Sequence, residues 1–395
     1  MNLTELLPFV GYDGVPSPVR FGLLLAGSFC FDLVLALFIL LRASPRPVTL
    51  NRAAIAAIAV VATLPIDVLV LVPLGLSRFG VIHVLWHDVS LVAPACALAV
   101  LLVARRRATP ATRALAVITL VLWPGAGYAR FIEPRRLVVE EHQIAARSAT
   151  GRPLRIVVLA DLQTDEMTPH EHAAIDRIEA LKPDLILIPG DLFQGCQRRF
   201  EAIAEPLRDL LGRLEAPGGV WFSYGDVDPK YRVAELIAGT NIRALENEIA
   251  EVEVGGRRVV ICGLGRFVET PEAEAAVDRL LAREDASEVR IVIAHHPEAV
   301  ELLPPSAPVD VTVTGHTHGG QVVVPLFGPP MTLCRLPRHI GAGGLHELNG
   351  NALVVSRGVG HERGQAPRVR FLSPPEVTLL HLSGDDRLAA KEVGR

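Results

Sequence analysis

Six residues in this 395-residue chain combine metal-ligating chemistry with a recurrent position. Asp161, Asp191, Asp226, His295, His316 and His318 each stand just past an apolar, β-rich run. The runs are Leu154–Ala160, Asp184–Pro189, Gly219–Tyr224, Ile291–Ala294 and Val309–Thr314. One acid at a strand end would mean little, because Asp is a common turn residue. Six potential ligands at five strand ends need another reason. Carboxylates suit hard divalent cations and imidazole suits borderline ones, so a mixed set points to Mn, Fe or Zn. Two such ions about 3.5–4 Å apart can grip the attacking and leaving oxygens of an in-line phosphoryl displacement. A pair of that kind needs a bridging carboxylate and several terminal ligands, which is the inventory present.

The sharpest segment is Gly315-His316-Thr317-His318-Gly319-Gly320-Gln321. Two histidines one residue apart can address two neighbouring ions, and glycines let backbone approach a substrate closely. Together with Gly190-Asp191 and Ala294-His295-His296-Pro297, this run resembles the calcineurin-like metallophosphoesterase superfamily, and most of all its bacterial membrane-associated branch. The resemblance extends from about Arg155 to Leu382 and includes the segments 356–360 and 371–382. It implies a four-layer αββα sandwich, an α/β fold with the site at the strand ends. It also implies two divalent ions. Asp161, Gln163, Asp191 and His318 would hold one; Asp191 as bridge, Asp226, His295 and His316 would hold the other. His296 would lie behind the ligands or at the pocket rim. The implied reaction is hydrolysis of a phosphodiester or diphosphate bond by a metal-activated hydroxide.

The sequence departs from that family at two motifs. The family's D-x-H reads Asp161-Leu162-Gln163, and its G-N-H-D/E reads Gly225-Asp226-Val227-Asp228. Gln163 can ligate through its amide oxygen, and Asp226 is a stronger oxygen donor than Asn. The exchange of imidazole for oxygen moves preference from Zn or Fe toward Mn or Mg, with Mn the expectation. Val227 is the sharper change. In the family a histidine there stabilises charge and can protonate the leaving group, and a positioned acid is worth about 10²–10⁴-fold in rate. Valine does neither, and Asp228 loses the histidine that it would orient. Asp228 and His296 are the catalytic candidates, with His361 a further substitute for the missing group. Two readings follow. One is hydrolysis of substrates whose leaving group needs no proton, such as a diphosphate linkage releasing a nucleotide or lipid phosphate. The other is a degenerate domain that binds metal and acts as sensor or scaffold. The first is favoured, because the other ligand positions hold competent residues. Arg338 and His339, in the glycine-rich region after the paired histidines, are candidate substrate-binding residues; Arg357 belongs in the same class, with a structural role as its favoured alternative.

The elements that must position these groups are legible in outline. From Leu137 onward short strand-like runs alternate with amphipathic stretches, which argues an α/β layered sheet. A helix is expected over Pro169–Leu181, with Thr168 as N-cap and Pro169 at the first helical position. Val259–Gly263 reads as a further strand. Open α/β sheets bind ligands along the carboxyl edge of their strands, where the six residues would converge.

The first 136 residues differ in kind. Four apolar runs, 21–41, 53–76, 84–103 and 114–128, are set against the roughly 20 residues that a span needs. The first is too long for a signal-peptide core, and Arg42 follows where a cleavage site should be. The expectation is a four-helix transmembrane region at 1–136, then a phosphoesterase domain at 137–395. Arg42, Arg46 and Arg52 in the first loop and Arg105, Arg106, Arg107 and Arg113 in the third outweigh Arg78 in the second and Arg20 in the tail. The positive-inside rule then puts the soluble domain outside the cytoplasm of a multi-pass cell-membrane protein, with Arg130, Arg135 and Arg136 pulling the other way. Asp32, Asp67, His87 and Asp88 sit in or beside the runs. The favoured reading pairs or protonates them inside the bundle; the alternative gives them a transport role. A net charge of −4 offers no basic footprint for a nucleic-acid polymer. Five scattered cysteines fit neither a disulfide framework nor a zinc knuckle. The expected partners are the lipid bilayer and a phosphorylated small-molecule or lipid-linked substrate.

Overall fold

The computed structural model describes residues 18–41, 47–71, 73, 75, 77–104, 106–147 and 152–384. Arg42, Arg46 and Arg105, and the side chains of Arg20, Asp67 and Arg78, lie outside the described residues. The chain divides into two compact units, Met1–Arg130 with Arg363–Arg368, and Phe131–Glu362 with Val369–Arg395.

The first unit is helical: α1 (Pro18–Leu41), α2 (Leu50–Leu71), α3 (Arg78–His87), α4 (Ala93–Leu102), α5 (Pro110–Leu120) and α6 (Leu122–Gly127). A π-turn over Asp88–Val92 joins α3 to α4. Pro94 supplies the reason: it has no N–H and its ring crowds the carbonyl one turn back, so the helix widens there. Pro124 and Gly125 fall within the apolar run 114–128, and the helical path continues past them over Pro110–Arg135. Pro124 falls in the first turn of α6, where N–H groups have few intrahelical partners to lose. Phe21–Leu41, Phe79–Leu102 and Pro110–Arg135 are long and apolar enough to cross a membrane, and Leu50–Thr63 is a shorter apolar helix. Their exposed Phe31, Val34, Phe38, Val61, Ile118 and Val121 form an apolar surface suited to lipid rather than water. These features suggest membrane association. Asp32 is fully buried and accepts hydrogen bonds from Thr63 Oγ1 (2.7 Å) and Ser28 Oγ (3.5 Å), so its polar atoms are satisfied inside the bundle. Within the same unit Gln365 accepts from the Ser77 N–H and donates to the Gly75 carbonyl, each at 2.7 Å.

The second unit holds two six-stranded sheets among the described residues. Its strands are β1 (Val138–Ala145), β2 (Leu154–Val158), β3 (Leu185–Ile188), β4 (Val220–Ser223), β5 (Ile242–Leu245) and β6 (Glu248–Val254), then β7 (Arg257–Gly263), β8 (Val289–Ile293), β9 (Val311–Thr314), β10 (Gly344–Leu348), β11 (Asn351–Val355) and β12 (Glu376–Ser383). One sheet runs β1-β12-β2-β3-β4-β5, the other β10-β11-β9-β8-β7-β6. The helices are α7 (Pro169–Leu181), α8 (Gln197–Leu211), α9 (Lys230–Ile237), α10 (Pro271–Leu281) and α11 (Arg338–Gly341). Strands β2, β3, β4 and β5 pair in parallel, as do β7, β8 and β9, so the carboxyl ends within each set share an edge.

Strand alternation builds the packing. Leu154, Ile156 and Val158 of β2 join Val259, Ile261, Ile291, Ile293 and Val313 of the other sheet in one buried cluster. The intervening Val157 packs with Ile175 and Ile178 of α7 and Phe200 and Leu207 of α8. On the second sheet Val260 and Val292 pack with Ala276 and Leu280 of α10. Burying each such aliphatic side chain contributes about 1.5–3 kcal/mol, and period-two patterning divides them between the two faces of a strand. Helix α7 begins where the sequence places it. Thr168 and Glu171 form a capping box, each side chain serving the other's backbone N–H.

Candidate metal centre

Five strand ends of the parallel sets deliver the candidate ligands. Asp161 and Gln163 follow β2, Asp191 follows β3, Asp226 follows β4, His295 and His296 follow β8, and His316 and His318 follow β9. Asp161, Gln163, Asp191, His295 and His318 are buried; Asp226, His296 and His316 are partly open. Five of these residues adopt a left-handed backbone: Asp161 (φ 48°), Gln163 (39°), Asp191 (61°), His316 (73°) and His318 (49°). Such conformations cost roughly 1–3 kcal/mol each for residues with a Cβ, and they cluster where function over-determines the backbone.

Two tight groups result. Ligating atoms of Asp226, His295, His296 and His316 all lie within 4.8 Å of one another, and so do those of Asp161, Asp191 and His295. His295 Nε2 stands 3.4 Å from Asp191 Oδ2 and 3.3 Å from His316 Nδ1, which is 3.4 Å from Asp226 Oδ2. Gln163 Nε2 donates to Asp191 Oδ2 at 2.9 Å, and the Val227 N–H donates to Asp191 Oδ1 at 3.0 Å. The His316 N–H reaches both Asp161 oxygens, at 3.0 and 3.1 Å, tying the two sheets together at the site. His318 Nε2 is 4.0 Å from Asp161 Oδ1.

Backbone carbonyls set the tautomers. His295 Nδ1 is 2.8 Å from the Pro189 carbonyl, which can only accept, so Nδ1 carries the proton and Nε2 presents its lone pair to the site. His316 is turned the other way: Nε2 is 3.1 Å from the Leu333 carbonyl, which leaves Nδ1 facing inward. This is the outer-shell orientation that metal-ligating histidines use.

The electrostatics have the sign of a cation site. Burial pushes the Asp161 carboxyl well above the ordinary carboxylate range, and the field of Asp228 adds to it. Asp191 rises for the same first reason, helped by Asp228, Asp161 and Asp226. Burial lowers His295 to about 3 and also lowers His316, keeping both imidazoles neutral as ligands must be. Burial would raise Asp226, but its bond from His296 and the fields of three histidines hold it low. Crowded buried carboxylates with neutral imidazoles aimed at them fit divalent cations as their missing counter-charge.

Asp228 does something that the sequence does not disclose. Its carboxylate accepts the backbone N–H groups of Asp191, Leu192 (3.0 Å) and Gly225 (2.9 Å), and burial pushes it up to about 6. It thus ties the loop after β3 to the loop after β4. His296 Nε2 lies 3.1 Å from Asp226 Oδ1, and its ring tilts over His316 at 4.1 Å. Arg338 and His339 are exposed on α11. Their interactions are with Pro329, Phe327 and His346, none of which belongs to the cluster. The glycines of the motifs are explained by contact: a Cβ on Gly225 would run into the Asp191 carboxylate, and one on Gly315 into that of Asp161.

Two residues at the site escape sequence reasoning. Arg370, fully buried, gathers carbonyls of Gly358, Gly360 and Ser373 behind His318. Only tertiary proximity marks it. Arg266 follows β7, and its Nε is 3.6 Å from Asp226 Oδ1. The signal for it was present, since Val259–Gly263 is a strand whose end carries this cation.

Residues 154–320 match the family model described as calcineurin-like phosphoesterase. Phosphodiesterase YaeI of Escherichia coli (strain K12) is 30% identical over 297 residues, covering 71% of this chain and 100% of that protein. The uncharacterized metallophosphoesterase YkuE of Bacillus subtilis (strain 168) is 29% identical over 283 residues, covering 68% of this chain and 93% of that protein. Among solved structures, the 5'-nucleotidase precursor from Thermus thermophilus aligns with a TM-score of 0.37 at 17% identity, covering 61% of this chain and 58% of that one.

Proposed function

This chain belongs to the calcineurin-like phosphoesterase family, and from that premise we propose a membrane-anchored phosphodiesterase whose substrate is a diester or diphosphate with a leaving group that departs without a proton. The family membership makes it a metal-dependent phosphoester hydrolase; the anchoring, the substrate and the roles below are this proposal. The carrying observation is the convergence of Asp161, Asp191, Asp226, His295 and His316 with both imidazole tautomers set by carbonyls. Asp161, Gln163, Asp191 and His318 would hold one divalent ion, and Asp191, Asp226, His295 and His316 the other, with Mn favoured by the oxygen-rich set. When bound, the ions supply the positive charge that activates water and offsets the phosphate.

The chain's own residues do the rest. His295 and His316 are oriented before any ligand arrives, which removes reorganisation from the reaction. Asp228 is a positioning residue in this reading, since its oxygens are engaged by the loops that carry Asp191 and Gly225. His296, bonded to Asp226, stands at the open side of the cluster, where a substrate oxygen can meet its ring. Packing of helices on both outer faces supports a four-layer αββα arrangement for a domain at 137–395. Apolar helices over about 1–136 support the anchor, and the arginine bias favours an extracytoplasmic catalytic domain. A lipid-linked or nucleotide diphosphate suits both the anchor and the missing acid.

The test is hydrolysis of bis-p-nitrophenyl phosphate by the full chain in detergent with Mn²⁺, beside Asp191→Asn. Nitrophenolate leaves without a proton, so Val227 is no handicap. The expected outcome is turnover that EDTA abolishes and that Asp191→Asn lowers by at least about 10²-fold. Metal binding with no turnover under any divalent ion would instead make the chain a sensor or scaffold.

A further inference from the structure

A cavity of about 830 Å³ is lined by both signs of charge, with Asp228, Glu246, Glu248 and Glu272 alongside Lys230, Arg266 and Arg279. Two of its three cations are already engaged. Lys230 pairs with Glu246 at 2.6 Å, and Arg279 donates to the Asn247 carbonyl at 2.8 Å. Arg266 differs. Its guanidinium rests over the Phe267 ring at 4.9 Å, and its Nε, though buried, has no hydrogen-bond partner among the described residues. Its one ion pair among them is the 3.6 Å approach to Asp226 Oδ1. The two residues before Arg266 are held in place: Ser223 Oγ donates to the Leu264 carbonyl at 2.7 Å, and the Gly265 N–H donates to Asn247 Oδ1 at 2.8 Å. A stacked, positioned guanidinium with an unused donor, one residue's width from a metal-site carboxylate, is arranged for an anion.

We propose that Arg266 stabilises the oxygen on which the leaving group departs, supplying charge where the family's histidine would supply a proton. The inference rests on the phosphodiesterase reading and names its substrate class. Water's oxygen bonds to phosphorus and the bond from phosphorus to the leaving oxygen breaks. That bond's electron pair stays on the departing oxygen, which leaves as an anion beside Arg266. One proton of the attacking water remains on the phosphate product and the other passes to solvent. Arginine stays charged at any physiological pH, so it cannot act as the acid. The preferred leaving groups are therefore anions stable at neutral pH: a phosphate, a phosphomonoester departing through a phosphate oxygen, or an electron-poor aryl oxide.

Two probes test this on the Mn²⁺-loaded full chain in detergent, comparing wild type with Arg266→Ala and Arg266→Lys. Orthovanadate adopts five-coordinate geometry, so one apical oxygen stands for the leaving oxygen; inorganic phosphate has no such atom. Calorimetry should show vanadate binding weakened about 10²-fold in Arg266→Ala and partly restored in Arg266→Lys, with phosphate binding little changed. Across aryl phosphodiesters, Arg266→Ala should lower kcat far more for phenyl than for nitrophenyl leaving groups. Equal loss of both anions together with lost Mn²⁺ would overturn the proposal, because Arg266 would then only neutralise Asp226. Unchanged vanadate binding would overturn it as well. A wild type that binds vanadate through Arg266 yet cleaves no diester would sink the phosphodiesterase reading while leaving the anion site standing.

Discussion

By its resemblance to the family's third motif, Val227 stands where a histidine is expected. Its backbone N–H donates to Asp191 Oδ1, and its apolar side chain is buried. Restoring the ring is thus a clean experiment. Val227→His is expected to raise kcat on phosphodiesters with alkyl leaving groups by about 10²-fold and to change nitrophenyl ester turnover little. Steady-state rates on both substrate types check it. Gln163 is the companion change. Its amide donates to Asp191 through Nε2, which leaves its Oε1 as the atom able to ligate a metal. The two substitutions thus alter different parts of the site, one the leaving-group side and the other the ligand set.

At the scale of elements, the site depends on loops that start where parallel strands stop. What keeps those strand starts in place is visible at the opposite end of the second sheet. Glu288, just before β8, is buried and accepts from Arg283 Nε (2.8 Å) and Nη2 (2.6 Å), beyond the end of α10. The Arg283 bonds hold the Glu288 carboxyl below the usual range even though burial pulls it upward. A depressed folded-state pKa gives stability that is complete above the unfolded value, about 4.3, and is lost as pH falls through the folded value. Glu288→Gln should therefore lower stability at pH 7 and leave it nearly unchanged at the acid end, flattening the slope between. Urea melts at a series of pH values measure this directly.

For the molecule as a whole, the buried carboxylates matter most. Burial raises the pKa of both Asp161 and Asp191, and neighbouring carboxylates raise them further, a cost that the fold carries until cations arrive. Divalent binding to the folded state alone stabilises it by about 2.7 kcal/mol when the ion is at a hundredfold excess over its Kd. Mn²⁺ should accordingly raise the melting temperature of the full chain in detergent, EDTA should reverse the rise, and Asp191→Asn should abolish the response. Differential scanning fluorimetry distinguishes these. The helical unit imposes its own condition, since exposed Phe31, Phe38 and Ile118 need an apolar environment that water does not provide.

The sequence by itself determined much of this, because strand alternation, turn residues and ligand types are local properties written in neighbouring positions. The six strand runs Leu154–Ala160 to Val309–Thr314 reappear as β2, β3, β4, β7, β8 and β9, and α7 begins at its capping box. Edge strands were harder. β1 is only partly buried and finds its partner β12 across more than two hundred residues, and β6 is half exposed and carries three glutamates, so neither announces itself as a buried run. Tertiary structure alone decided how the ligands face one another. Carbonyls of Pro189 and Leu333, distant in the chain, choose which nitrogen of His295 and His316 points inward. Asp228 turned out to be committed to three backbone donors, and Arg266 came to stand beside Asp226. These are contacts between loops, and a loop's partner depends on the register of two whole sheets rather than on any residue within it.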